Sequence, residues 1–252
     1  MALFLLVFLP LFSSIIVGFF GKRVNISLVH IFSCSLIVIP FFIASYFLNR
    51  SLGGDFNIVL PLATWLSSGD LLVQWSLKLD MLSSVMLVVV TLVSSLVHIY
   101  SIGYMRHDPH QNRFFAYLSF FTFSMLILVT SNNFLQLFFG WEGVGLASYL
   151  LIGFWFKKKS ANSAAIKAFI VNRVGDFGFL IGIAILFVST KSLDFDVVFS
   201  MTKELSSSSI SLFYWNFNTL DVACFFLFMG AMGKSAQLFL HTWLPDAMEG
   251  PT

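Results

Sequence analysis

The chain reads as an all-α polytopic membrane protein, a bundle of about seven transmembrane helices. Hydrophobic residues make up 58% of its 252 residues and charged residues only 10%, with a mean hydropathy of +0.90, too apolar for a soluble domain. Apolar runs recur at lengths of about 20 residues, as an α-helix needs to cross about 30 Å of hydrocarbon. Lysine and arginine gather in the short stretches between those runs, and a formal net charge of only +2 leaves no footprint for nucleic acid.

The first run, Ala2 to Phe20, is followed rather than preceded by its charges, Lys22 and Arg23, so it is a span and not a signal peptide. The others are Ile26 to Leu48, Met81 to Gly103, Phe114 to Thr130, Phe134 to Phe156, Ala164 to Ser189, and Asp221 to about His241. Three regions follow: 1–48 with two spans, 49–80 as a loop, and 81–252 with the remaining five. Within Asn49 to Asp80, the residues Gly53, Gly54, Pro61, Trp65 and Trp75 and the alternation from Leu72 to Leu79 predict a short hairpin against the membrane surface. Lys191 to Asn218 mixes Asp194, Asp196, Lys203 and Glu204 with Phe195, Phe199 and Leu205, an interfacial and partly amphipathic pattern. Cys34 and Cys224 sit in apolar runs without CxxC or Cys/His spacing, and are read as packing residues with no disulfide, haem or iron–sulfur role.

Loop charge sets the expected orientation. Lys22, Arg23, Arg106, Arg113, Lys157, Lys158, Lys159 and Lys167 fall on one side, against Arg50, Lys78, Lys191 and Lys203 on the other. The amino terminus is therefore expected outside, together with Asp55, Asp70, Asp80, Asp194, Asp196, Glu204 and Asp221, while Asp108, Asp246 and Glu249 lie inside.

Four ionisable residues remain within the spans: Glu142, Arg173, Asp176 and Lys234. A charged group at the bilayer centre costs about 2.5 to 3.5 kcal/mol on insertion scales, so each is a candidate functional residue. Glu142 lies about 12 Å, and Lys234 about 18 to 20 Å, from the outer ends of their helices. Arg173 and Asp176, three positions apart, share a helix face and can neutralise each other; a salt bridge that only locks packing is the bland alternative. Lys234 has no acid within reach on its own helix, so Glu142 is the expected counter-charge at matching depth. With the carboxylate close the lysine stays protonated, and on separation burial favours proton release. The competing reading is a permanent packing pair, although buried pairs stabilise poorly.

His241, seven residues after Lys234 in a continuing helix, would lie two turns further on the same face and could relay protons. An interfacial histidine bonded to a helix-end carbonyl is the equal alternative. His98 has weaker claims, and His30, His107 and His110 are read as solvated loop or interface residues.

The stretches SLVHIYSIGYM, NNFLQLFFGWEGVGLASYLLIGFW, KAFIVNRVGDFGFLIGI and GAMGKSAQLFLHTWLPDAMEGPT resemble the first half of subunit 5 of the respiratory NADH:ubiquinone oxidoreductase, complex I. The resemblance runs from about Leu3 to Thr252 and thins over Asn49 to Asp70 and Lys191 to Asn218. It implies an antiporter-like helix bundle, here the incomplete first half of an inverted-repeat fold ending in the first half of a broken helix. It places the family's glutamate on Glu142 in GWEGVG, its lysine on Lys234 in GKSAQ, and its Arg and Asp on Arg173 and Asp176 in NRVGDFG. The implied function is proton translocation as a membrane-arm subunit. No cofactor is expected on this chain, with NADH, FMN, iron–sulfur clusters and ubiquinone elsewhere in the complex and phospholipid as a candidate neighbour.

In that family the polypeptide continues beyond EGPT. The expected partners are therefore the other membrane-arm subunits and a carboxy-terminal half of subunit 5 as a separate chain, with a truncated copy as the alternative. A helix stopping near Thr252 would leave up to four carbonyls for a partner to cover. A subunit of a multi-subunit cation/proton antiporter, against which stand Asp246 and Gly250, a hydrogenase-linked pump, and a non-conducting scaffold are the rival functions. The 32 phenylalanines suggest a thymine-rich organellar gene, hence the mitochondrial inner membrane with the amino terminus on the intermembrane-space side; a bacterial plasma membrane is the alternative.

Overall fold

The computed structural model describes every residue except Asp55, Asp70, Phe213, Tyr214 and Thr252, and all side chains of the rest but that of Leu212. The expected positions of Asp55, Asp70 and Thr252 lie outside the described residues. Nine α-helices are described: α1 (Ala2–Phe20), α2 (Ile26–Leu52), α3 (Met81–Tyr104), α4 (Gln111–Val129), α5 (Phe134–Ile152), α6 (Lys159–Thr190), the short α7 (Phe195–Ser200) and α8 (Thr202–Ser207), and α9 (Thr219–Lys234). The strands are β1 (Ile58–Ser68), β2 (Leu71–Leu79), β3 (Ser209–Leu212) and β4 (Trp215–Asn218). Helices α1 to α6 are each long and apolar enough to cross a membrane. The seventh expected span differs: α9 has 16 residues and stops at Lys234, not near His241.

The helix starts follow local chemistry. Asn25 accepts from the Ser27 amide at 3.1 Å to open α2, and Asn218 accepts from the Leu220 amide at 2.9 Å to open α9. At α3, Asp80 accepts from the Ser83 amide at 2.8 Å while Ser83 Oγ accepts from the Asp80 amide at 2.7 Å, a reciprocal cap. Asn133 opens α5 by accepting from the Gln136 amide at 2.8 Å.

The chain divides into two compact units. The first comprises residues 1–61, 76–131 and 139–151 and is built on α1 to α4, with α1 packed on α4 and α2 on α3. Its interior carries Leu6, Val7, Ile37, Leu87, Phe115 and Leu126, all essentially inaccessible. The second comprises residues 62–75, 132–138 and 152–252, and its main contact is α6 against α9. Its core gathers Val73, Phe134, Phe179, Ile183, Leu193, Val198 and Leu205.

Strands β1 and β2 pair as the hairpin that the alternation predicts. Strands β3 and β4 also pair antiparallel, with Ser209 opposite Asn218 and Ile210 opposite Phe217, inside the segment read only as interfacial. The two strands alternate polar and apolar residues, but over only four residues each, a run too short to stand out within an interfacial segment. The 32 residues of helix α6 separate Lys157 to Lys159, at its start, from Asp194 and Asp196 beyond its end.

Partial burial, and then the neighbouring Asp196 carboxylate, push the Asp194 carboxyl above its usual range. An acid raised in the folded state adds stability that is present at low pH and lost as pH rises through the folded pKa. Asp194→Asn should therefore increase amide-exchange protection of α7 at neutral pH. It should have no such effect where the carboxyl is already protonated.

Candidate proton-transfer site

Glycines decide how the second unit brings its charges together. On α6, a Cβ at Gly175 would meet the Met229 carbonyl at 3.1 Å and Gly233 Cα at 3.2 Å; one at Gly182 would meet the Leu227 amide at 3.0 Å. On α9, a Cβ at Gly230 would lie 2.7 Å from Phe179 Cβ. The two backbones thus approach as only small residues permit, the packing mode of membrane helices that lack a hydrophobic drive to associate.

This seam sets Asp176 beside Lys234. Lys234 Nζ stands 3.9 Å from Asp176 Oδ1, and the side chains are 18% and 5% exposed. That separation is an ion-pair contact longer than a hydrogen bond. Arg173, one turn away on α6 and exposed, lays its guanidinium 4.5 Å from the centroid of Phe169. The sequence reading set Glu142 as the counter-charge of Lys234; the carboxylate that the second unit presents to Lys234 is Asp176. Spacing along α6 favoured Arg173 as its partner, and only the α6–α9 seam reveals the other.

Lys234 is the last residue of α9. The helix-end carbonyls carry partial negative charge, so the break favours a cation at this position. Those carbonyls are also met from within the chain: Ala231 O accepts from the Ser235 amide at 2.9 Å, Met232 O from the Gln237 amide at 3.0 Å, and Gly233 O from Trp243 Nε1 at 3.1 Å. The helix expected to run on toward Thr252 thus ends at Lys234, with three of its last carbonyls met from within the chain. Beyond the break, Ala236 and Phe239 adopt positive φ of 49° and 75°, and the chain returns to α6 through Lys167 Nζ to Asp246 Oδ2 at 2.7 Å and Ser160 Oγ to Glu249 Oε2 at 3.0 Å. His241 lies in this irregular stretch, exposed, so the helical register that set it two turns beyond Lys234 is absent.

Glu142 belongs to the first unit. The α5 turn that carries it seats against α4 through Gly140, where a Cβ would lie 2.7 Å from the Leu128 amide, and Gly143, where it would lie 2.7 Å from Ser124 Oγ. Ala147, one turn on, is fully buried. The small residues around Glu142 therefore serve close helix approach, as their spacing predicts.

Sequence reasoning undervalued His98. It is fully buried, with Nδ1 2.8 Å from the Ser94 carbonyl and Nε2 3.2 Å from Ser119 Oγ. The available signal was the presence of hydroxyls on each of the first four spans at similar depth. His30, read as solvated, is half-buried and bonds Gln111 Oε1 at 2.9 Å.

Comparison with known proteins agrees with this geometry. A family model described as NADH:quinone oxidoreductase/Mrp antiporter, transmembrane region, matches residues 131–252, and one described as complex I chain 5 N-terminus matches residues 65–115. NADH-quinone oxidoreductase subunit L of Rhodobacter capsulatus is 60% identical over 200 residues, covering 77% of this chain and 28% of that protein. NADH-ubiquinone oxidoreductase chain 5 of Chondrus crispus is 50% identical, covering 98% of this chain and 37% of that protein. The chain thus spans well under half the length of these relatives.

Two solved structures share the fold. An archaeal membrane-bound sulfane sulfur reductase matches with a TM-score of 0.81 at 19% identity, covering 99% of this chain and 48% of that one. The Mrp complex from Dietzia sp. matches with 0.78 at 22%, covering 99% and 25%. The glycine-closed seam, the interrupted helix at Lys234 and these matches converge: the chain is a multi-pass membrane protein of the NADH:quinone oxidoreductase/Mrp antiporter-like family, corresponding to the amino-terminal part of subunit 5 (subunit L).

Proposed function

We propose that this chain translocates protons as a membrane-arm component of a complex I-type NADH:quinone oxidoreductase, coupling quinone reduction to pumping. The observation that supports this best is the Asp176–Lys234 pair, a titratable cation held by a carboxylate at an interrupted helix end. Asp176 close to Lys234 favours the ammonium form. Movement of the carboxylate, or its recruitment by Arg173 on the same face of α6, removes that support and favours proton release into the path. Glu142, in the first unit, is proposed as a further proton-carrying carboxylate, and His241 as the group that passes protons toward the inner solution.

The redox chemistry belongs to other subunits, which would hold FMN, the iron–sulfur clusters and the NADH and ubiquinone sites. Residues beyond this sequence, on this polypeptide or another, would complete the antiporter-like fold. The proposed setting is the mitochondrial inner membrane with the amino terminus in the intermembrane space, an inference resting on composition and loop charge. The Mrp likeness keeps a cation/proton antiporter as the second reading.

Purification of the native particle separates the two. An NADH:ubiquinone reductase in the same particle supports the complex I reading, and a particle exchanging Na+ for protons without that activity overturns it. Within the assembled complex, Asp176→Asn should reduce the rate of proton pumping by about 100-fold, the lower end for one positioned proton-transfer group. NADH oxidation by an artificial acceptor should be unchanged.

A further inference from the structure

The first unit contains a polar assembly that the Asp176–Lys234 pair does not use. The hydroxyls of Ser13 on α1, Ser33 on α2 and Ser119 on α4 meet at one point: Ser13 Oγ lies 3.1 Å from Ser119 Oγ and 3.4 Å from Ser33 Oγ, and Ser33 Oγ lies 3.4 Å from Ser119 Oγ. His98 Nε2 on α3 reaches the triad through Ser119 at 3.2 Å. On the other edge of the ring, Nδ1 lies 2.8 Å from the Ser94 carbonyl and 3.3 Å from Ser94 Oγ, which in turn lies 2.6 Å from Thr122 Oγ1. Counted from the helix ends beside Lys22, Arg23, Arg106 and Arg113, Ser13, Ser33, His98 and Ser119 lie at a depth of about 9 to 12 Å, and Ser94 and Thr122 at about 15 to 17 Å.

The arrangement fixes the resting state of the imidazole. With the Nδ1 hydrogen donated to the Ser94 carbonyl, Nε2 carries the lone pair and accepts from Ser119. No aspartate or glutamate occurs anywhere in α1, α2, α3 or α4. The titratable or charged side chains on those helices are His30, Cys34, Tyr46 and Arg50 on α2, Tyr100 and Tyr104 beside His98 on α3, and Arg113 and Tyr117 on α4; α1 has none. His30 comes nearest in arrangement, its ring packing on Phe115 at 5.0 Å while that of His98 packs on the same ring at 6.0 Å. The further helix packed against α4 in this unit, α5, carries one carboxylate, Glu142.

We propose that His98 is a proton-transferring residue of the amino-terminal bundle, carrying protons between the Ser13/Ser33/Ser119 hydroxyls and the Ser94/Thr122 pair. Nε2 takes a proton from Ser119 as Ser119 takes one from Ser13 or Ser33, which water resupplies; Nδ1 releases its own proton to Ser94 Oγ as Ser94 gives its hydroxyl proton to Thr122 Oγ1 and Thr122 gives its own to water. The product is the neutral Nε2–H tautomer, with no net charge left on the ring, and reversal or ring rotation restores the start. Each serine both donates and accepts, so the chain conducts by reorientation of its hydroxyls. A histidine kept only for packing needs one satisfied nitrogen; here both edges meet hydroxyls that themselves have hydroxyl partners.

This rests on the proton-pumping reading above, so the test is made in the assembled complex reconstituted in liposomes, with Lys234→Ala alongside. His98→Gln retains hydrogen-bonding reach but cannot titrate, and Ser119→Ala breaks the Nε2 contact with minimal loss of volume. Both should assemble, judged by native electrophoresis and artificial-acceptor activity. Each should lower proton pumping coupled to quinone reduction by about 100-fold, the lower end for a proton-transfer group, and Ser119→Ala should enlarge the solvent deuterium isotope effect on that reaction. Pumping at the wild-type level in His98→Gln with Lys234→Ala inactive overturns this proposal alone. Full pumping in Lys234→Ala overturns the reading beneath it. If His98→Gln fails to assemble, Ser119→Ala decides by the same two readouts.

Discussion

Lys234→Ala is expected to abolish proton translocation and slow quinone reduction by about tenfold or more, while NADH oxidation by an artificial acceptor stays near the wild-type rate. The split is expected because the role proposed for this lysine is proton transfer, with electron transfer assigned to other subunits. Removing one partner of a buried pair typically costs about 3 to 5 kcal/mol, because the other charge is left without compensation. Asp176, only 5% exposed, is the partner that this substitution leaves on the seam. Lys234→Arg separates charge from titration: a guanidinium keeps the cation but does not release its proton near neutral pH. It should assemble and yet fail to pump. The measurement is dye-reported acidification of liposomes alongside both electron-transfer assays, and an equal fall in artificial-acceptor activity in the assembled enzyme would count against the assignment.

Gly230→Val should prevent stable assembly. A Cβ at this position would sit 2.7 Å from Phe179 Cβ, an atom held by the backbone of α6 and unable to swing aside. Overpacking of this kind usually costs about 1 to 3 kcal/mol and sometimes more, and here it acts on the principal contact of the second unit. The control is Gly103→Ala, where nothing lies within 4 Å of the added carbon. The control should assemble normally on native electrophoresis, whereas Gly230→Val should leave little intact complex. Wild-type assembly of Gly230→Val would show that the seam tolerates separation.

The sequence was most legible where one local rule suffices. Twenty-residue apolar runs mark six long helices to within a few residues, and alternation over Leu72 to Leu79 marks a hairpin. It was least legible where distant segments decide. Nothing in the apolar pattern of 221–241 signals a stop at Lys234, for no proline interrupts it there; the break is stabilised by Trp243, ten residues on, donating to Gly233. Likewise, Asp176 could be assigned to Arg173 by spacing, but its approach to Lys234 depends on Gly175, Gly182, Gly230 and Gly233, which say that helices come close without saying which ones. His98 illustrates a third limit. A lone histidine in an apolar run carries little information until the hydroxyls of three other helices are seen to converge on it.

The shortness of α9 also bears on how the protein enters the membrane. Sixteen residues span about 24 Å, less than the hydrocarbon thickness, and the segment ends on an ammonium group. An inserting channel that scores each segment on its own apolarity would hold such a helix poorly, since a charged residue at depth costs several kcal/mol. Helix α6 is made first and already carries the glycine face and the carboxylate that α9 needs. Insertion of the later helix is thus a docking event onto the earlier one, separated from it by the α7–α8 and hairpin segment. Defects at the seam should accordingly surface during biogenesis, as rapid turnover of the newly made chain by membrane proteases, before any inactive enzyme accumulates.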